Sequence, residues 1–207
     1  MISQFLKTKL DIPATRQQFL RRKRLLQLLD NSVDNKAILV SAPAGYGKTS
    51  VISDWAKTRK EPFAWISLDE SDNDPIRFLG YLQSALSEIN PDLAISESHF
   101  STYSSLSSAT SLTILLNSLA DNKVPLFIVL DDFHVITNPE IYEMTTFLIQ
   151  YLAPGTNVII STRSDPPLPL DKWRVDGQLA EIRQMDLCFS KADVSTLCND
   201  LKGLNLS

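Results

Sequence analysis

The chain has 207 residues, 43% of them hydrophobic, enough for one domain with its own core plus a small appendage, and too apolar for a chain disordered throughout. Twenty lysines and arginines against 24 aspartates and glutamates leave a net charge of −4, which excludes an overall basic field for holding nucleic acid non-specifically. The two cysteines, Cys188 and Cys198, lack C-x-x-C spacing, which argues against a disulfide framework or a zinc site and fits a reducing cytoplasm.

Met1 to Pro13 contains Lys7, Lys9 and Asp11 and no apolar run long enough for a signal-peptide core. Apolar stretches elsewhere are about six residues, too short to cross a bilayer, so a cytoplasmic protein without membrane contact is expected. The basic run Arg21-Arg22-Lys23-Arg24 precedes Leu25-Leu26 and Leu28-Leu29 and reads as the solvated face of an amphipathic helix.

Ala37 to Ser41 is a short β-rich run that ends in a Pro/Gly-containing turn, and Thr49 to Arg59 follows with Val51, Ile52, Trp55 and Ala56 at helical spacing. The unit repeats. Phe63 to Leu68 reads as a strand, and Asp74-Pro75 opens a helix with Asp as N-cap and Pro at its first position. The acidic residues between them, Asp69, Glu70 and Asp72, read as ordinary loop residues. Asn90 to Ala109 is dense in serine and reads as a surface connection with at most a short helical turn. A helix is predicted over Leu112 to Ala120, a strand over Leu126 to Leu130, and a helix from about Pro139 to Leu152 capped by Asn138. A fourth strand is predicted over Asn157 to Thr162, and a fifth apolar segment around Leu179 to Leu187.

Short apolar strands alternating with helices predict an α/β fold, a three-layer arrangement with a mainly parallel five-stranded sheet flanked by helices. Residues 1–35 would be an N-terminal segment and helix leading into the core, 36–187 the core, and 188–207 the start of a following helical region.

Ala42-Pro43-Ala44-Gly45-Tyr46-Gly47-Lys48-Thr49 sits between the first predicted strand and helix, the context a G-x-x-x-x-G-K-S/T phosphate loop requires. Gly45 and Gly47 let the backbone curl so that successive N–H groups point at phosphate oxygens, and the helix N-terminus adds its positive dipole end. The segment Pro43, Ala44, Gly45, Tyr46, Gly47, Lys48, Thr49 and Ser50 is thus the candidate phosphate cradle. Lys48 would reach the β- and γ-phosphates and Thr49 would ligate magnesium. The first glycine of the pattern is Ala42 here, which is tolerable at negative φ.

Leu126 to Leu130 delivers Asp131-Asp132 at the end of a buried strand, a Walker B arrangement. Asp131 would hold magnesium, and Asp132 would polarise an attacking water, the alternative being that it caps the following turn. Arg163, closing the fourth strand, is the candidate γ-phosphate sensor, the alternative being a surface pair with Asp165. His134 reads first as a packing or turn residue and second as a contact to phosphate or magnesium-bound water.

The residues that follow one another here, Thr8-Lys9-Leu10 with Pro13, Arg22 with Arg24-Leu25-Leu26, the loop itself, Trp65-Ile-Ser-Leu-Asp-Glu70, Asp72-Asn73, Arg77-Phe78, Asp131-Asp132-Phe133-His134 and Ile136 to Pro139, resemble the nucleotide-binding domain of MalT-type, LuxR-family regulators, members of the STAND class of P-loop ATPases. The resemblance runs over nearly the whole chain. It implies an ATP/ADP switch with Mg2+ whose ATP-bound full-length form self-associates, and DNA contact only through a C-terminal helix-turn-helix outside these residues. It also implies that Arg22 is the upstream nucleotide contact near the adenine or ribose, although Lys23 stands where the family has an acid. Ser190 to Val194 would begin the helical region beyond the sheet, which would make the chain an N-terminal piece. Two other readings stand beside a slow ATPase switch: a nucleotide or small-molecule kinase, disfavoured because Asp165 to Leu170 is stiff rather than basic, and an ADP-bound scaffold that does not hydrolyse.

Overall fold

A computed structural model describes residues 5–14, 20–93, 108–121 and 124–196. Five strands, β1 (Ala37–Ser41), β2 (Phe63–Ser67), β3 (Leu126–Asp131), β4 (Thr156–Thr162) and β5 (Leu179–Arg183), form one sheet in the order β2-β3-β4-β1-β5, with every pairing parallel. Eight α-helices are described: α1 (Lys23–Asp30), α2 (Lys48–Ala56), α3 (Pro75–Ile89), α4 (Ser108–Asp121), α5 (Pro139–Tyr151), α6 (Leu170–Val175), α7 (Gln184–Leu187) and α8 (Lys191–Thr196).

The central strands are apolar along their whole length because helices cover both faces, and every residue of β1, β3 and β4 is buried. Alternation divides them between two cores. Leu39, Ile66, Ile128, Leu130 and Ile160 pack with α3, α4 and α5, while Ile38, Val40, Trp65, Val129 and Ile159 pack with Leu25, Leu29, Val51 and Trp55 of α1 and α2. Each fully buried aliphatic side chain favours the folded state by about 1.5–3 kcal/mol over exposure. Helix α1 is therefore part of the core rather than a lead-in. Among the described residues no helix is long and apolar enough to cross a membrane.

Caps sit where the sequence puts them. Asp74 accepts from the Arg77 N–H at 2.8 Å and Asn138 from the Glu140 N–H at 3.0 Å, each with proline at the first helical turn. The Ser-rich connection lies largely outside the described residues, as does Cys198; Cys188 is exposed and free.

Three expectations need correction. The acidic loop after β2 is not a set of solvated carboxylates: Asp72 is completely buried, ion-paired to Lys9 and to Arg77 Nε at 3.2 Å, and it accepts the Asp69 N–H at 2.8 Å. Asp69 caps the 3₁₀ turn Glu70–Asn73, and the Ser71 hydroxyl, then Lys9, hold its carboxyl down at about 2. Secondly, Arg22 does not lie on a solvated helix face. It is 5% exposed, just ahead of α1, while Arg21, Lys23 and Arg24 are exposed. Thirdly, the fifth apolar segment is a strand only to Arg183, where the Asp186 carboxylate accepts the Arg183 N–H at 2.9 Å and turns the chain into α7.

Candidate nucleotide-binding site

Strand β1 ends at Ser41, and the Ala42 N–H still bonds to Thr162 O at 3.2 Å, so Ala42 extends the sheet. Among the described residues the single non-glycine at positive φ is Asp132, so an alanine methyl at position 42 meets no backbone obstacle. The turn itself needs two left-handed residues, and Gly45 (φ 86°) and Gly47 (φ 77°) supply them. A Cβ built on Gly45 would meet nothing within 4 Å, whereas one on Gly47 would stand 3.2 Å from Arg22 Nη2. Gly47 caps α2, whose first-turn N–H groups, from Lys48 to Ser50, have no intrahelical partner and face the loop.

Lys48 is buried and donates to its own loop, to Ala42 O at 2.8 Å and Pro43 O at 3.2 Å. Burial lowers its ammonium pKa below the ordinary lysine value; Asp132 and Asp131 pull it back up, and Arg163 pushes it further down. Thr49 Oγ1 donates to Asp131 Oδ1 at 3.0 Å, across the strand β4 that separates β1 from β3. These two oxygen donors suit a hard cation such as Mg2+, which keeps waters and phosphate oxygens around it. Among the described residues no group of three or more His, Cys, Asp or Glu could hold a metal ion.

Asp131 is 2% exposed, and burial raises its carboxyl pKa above the ordinary value, against the opposing pull of the Thr49 hydroxyl. A raised folded-state pKa disfavours the ionised fold as pH rises from the unfolded value toward the folded one, so at neutral pH this carboxylate costs stability. Asp131→Asn is expected to raise the melting temperature by about 2–4 °C in metal-free buffer. The gain should shrink as pH falls and the wild-type carboxyl protonates. Scanning calorimetry from pH 4 to 8 checks this, and a lower melting temperature for the variant at neutral pH would contradict it.

Asp132 follows in a left-handed conformation (φ 58°, ψ 36°), its carboxylate about half exposed and 3.6 Å from His134 Nδ1. It makes no side-chain capping bond to the turn Phe133–Val135, so the capping alternative does not hold. His134 Nδ1 is buried without a hydrogen-bond partner; burial, then the charge of Arg163, holds its imidazole below the ordinary histidine value, and Lys48 adds to this. Arg163 is exposed at the end of β4, close enough to Lys48 and His134 to shift both. The alternative pairing with Asp165 is not formed. Asp165 instead pairs with Arg183, which holds its carboxyl below the usual range, and accepts from the Ser41 hydroxyl at 3.4 Å.

Of the site's other wall the sequence offered Arg22 alone, through the family resemblance, and its partners went unread. Arg22 Nη1 donates to Leu187 O at 2.7 Å, its guanidinium stacks over Phe189 at 5.1 Å, and Gln184 Nε2 donates to the Tyr46 hydroxyl at 2.9 Å. Helix α7 thus closes on the loop from the β5 side. Arg22 is the one member of its basic run brought to the loop.

No protein-family model matches the chain. It is 34% identical over 218 aligned residues to the HTH-type transcriptional regulator MalT of Serratia proteamaculans (strain 568), covering 95% of this chain and 24% of that protein. The chain thus spans about a quarter of the length of the curated relatives it matches. Among solved structures it is similar to a signal transduction ATPase with numerous domains and a tetratricopeptide repeat sensor from Pyrococcus horikoshii, with TM-score 0.66 and 18% identity over 93% of this chain and 27% of that one. It is also similar to Cdc6p from Pyrobaculum aerophilum, with TM-score 0.63 and 18% identity over 96% of this chain and 54% of that one.

Proposed function

Because this chain is related in sequence to the MalT-type transcriptional regulators and has the fold of the STAND and other P-loop ATPases, we propose that it is the ATP/ADP-binding switch domain of a LuxR-family regulator. Slow magnesium-dependent hydrolysis would set whether the full protein self-associates and activates transcription, in the cytoplasm and with DNA held by a separate helix-turn-helix. The observation that carries the reading is the Thr49–Asp131 bond at 3.0 Å, which joins the phosphate loop to the carboxylate strand.

The roles follow from position. The loop from Pro43 to Ser50 wraps the phosphates with backbone N–H groups, and Lys48 leaves its carbonyl partners for the β- and γ-phosphate oxygens. Thr49 and Asp131 hold the magnesium ion, which when bound would neutralise charge developing between the phosphates. Asp132 orients the attacking water, Arg163 offsets charge on the terminal phosphate, and Arg22 lies against Gly47 to meet the nucleoside side. Hydrolysis rates in such switches depend on how many positive charges meet the terminal phosphate.

Titration calorimetry with Mg-ATP and Mg-ADP tests binding, and phosphate release tests turnover. Both nucleotides should bind, with turnover below about 1 per minute for the isolated chain. Turnover at about 10 per second or faster would overturn the switch reading, as would binding of neither nucleotide.

A further inference from the structure

Asn73 is the last residue of the 3₁₀ turn after β2, a half-buried side chain next to the buried Asp72. Strand β2 runs parallel to β3 with Ser67 opposite Asp131, and the Leu68 N–H bonds to Asp131 O at 3.0 Å, so this turn lies alongside the end of the carboxylate strand. Asn73 Nδ2 donates to Val135 O at 2.9 Å and to Glu70 O at 3.1 Å. Asn73 Oδ1 accepts from the Thr137 N–H at 2.6 Å, the Thr137 hydroxyl at 3.2 Å and the Asn138 N–H at 3.1 Å, and Asn138 Nδ2 returns a bond to Asn73 O at 2.9 Å. One amide therefore uses both its ends on the single loop that leaves Asp132.

We infer that Asn73 is a positioning residue for hydrolysis, acting through residues 133–138 to hold Asp132 at the phosphate site. The inference rests on the role proposed above for Asp132. A non-glycine at φ 58° persists only where its surroundings over-determine it. Upstream, the β3 ladder fixes the chain as far as Asp131. Downstream, the turn Phe133–Val135 is one 3₁₀ turn with two backbone bonds, Val135 N–H to Asp132 O and Ile136 N–H to Phe133 O, each at 3.1 Å. Beyond it the backbone groups of Val135, Thr137 and Asn138 are met by Asn73, and Ile136 O by the Tyr142 hydroxyl. Without the Asn73 amide, one carbonyl and two N–H groups of this loop lose their partners, and the left-handed residue loses one of its downstream anchors. The polar atoms of the Asn73 side chain are all engaged by this loop and by Glu70 O, so the residue acts through the loop and not on phosphate.

The test compares Asn73→Ala and Asn73→Asp with wild type in the whole chain, reading Mg-ATP affinity, single-turnover hydrolysis and amide exchange. Asn73→Ala should keep the dissociation constant within about twofold while slowing hydrolysis about 10–100-fold, the cost typical of a small misplacement. Exchange at Thr137 and Asn138 should quicken. Asn73→Asp keeps the oxygen that accepts those two N–H groups and loses the donor to Val135 O and Glu70 O, so its rate should fall between wild type and the alanine variant, which also serves if the alanine variant folds poorly. An unchanged rate in Asn73→Ala, or affinity and rate falling together, overturns the inference. If wild type binds Mg-ATP without hydrolysing it, the slow-ATPase reading fails separately, and the inference is then decided by exchange at Phe133 to Val135. Faster exchange there in Asn73→Ala supports it, and unchanged exchange ends it.

Discussion

Lys48→Ala is expected to abolish detectable binding of both Mg-ATP and Mg-ADP, a loss of at least about 100-fold. The ammonium is the one buried cation of the loop, held by two carbonyls that are neutral and easily left. Exchanging them for phosphate oxygens replaces neutral acceptors with charged ones, and each charge-assisted bond is worth about 1.5–3 kcal/mol, so losing two costs about two to four powers of ten in affinity. Burial already holds the lysine below its ordinary pKa, so the folded protein carries an under-solvated charge that an anion relieves. The variant should remain folded by circular dichroism. Nucleotide affinity within about tenfold of wild type would show that the backbone cradle and Arg22 dominate, and would remove Lys48 from its proposed role.

Asp72→Ala is the substitution expected to harm the fold most. The carboxylate has no solvent exposure and meets Lys9, Arg77 and the Asp69 N–H, while the Lys9 side chain is itself 9% exposed. Removing one partner of a buried pair strands the other, which costs about 3–5 kcal/mol, or about 6–20 °C in melting temperature at this size. The same physics predicts non-additivity. Lys9→Met combined with Asp72→Ala leaves no unpaired buried charge and should recover most of the loss in a double-mutant cycle. Equal and additive losses by calorimetry would mean that the pair is worth no more than a surface contact. Lys9 also lies 4.5 Å from the Tyr81 ring, and Phe5 packs against that ring and Gly80, so Asp72→Ala should free the N-terminal segment to early proteolysis.

The elements that could be read from the sequence were those fixed by neighbours along the chain. Strand β1 and the helix-capping pairs Asp74-Pro75 and Asn138-Pro139 depend on local apolar runs and backbone geometry, and the phosphate loop depends on two glycines at positive φ. Features that escaped reading depend on partners far apart. Arg22 meets Leu187 O and Asp72 meets Lys9, contacts across 165 and 63 residues that leave no periodic trace. An arginine in a basic run and an aspartate in an acidic loop look solvated until the fold brings a backbone carbonyl or a lysine to them. Helix α7 was merged into β5 because Leu187 continues the apolar pattern, and what ends the strand is a single side-chain bond from Asp186 to the Arg183 N–H. The Asp72-Asn73 pair was visible as part of a resemblance, yet its work is on backbone groups of another segment, which residue types alone do not disclose.

Strand order also governs when this domain can exist during synthesis. Strand β1, which carries the phosphate loop, pairs only with β4 and β5, so its last residue, Ser41, waits for Thr162 of β4. At about 5–20 residues per second, the roughly 120 intervening residues take about 6–24 s to emerge. Strands β2 and β3 can pair sooner, but through that interval the apolar run Ala37 to Val40 has no sheet to enter. Nucleotide therefore cannot template the nascent chain from its N-terminal end. The ribosome delivers a loop first and its frame last, and this apolar strand is where a chaperone has the longest opportunity to bind.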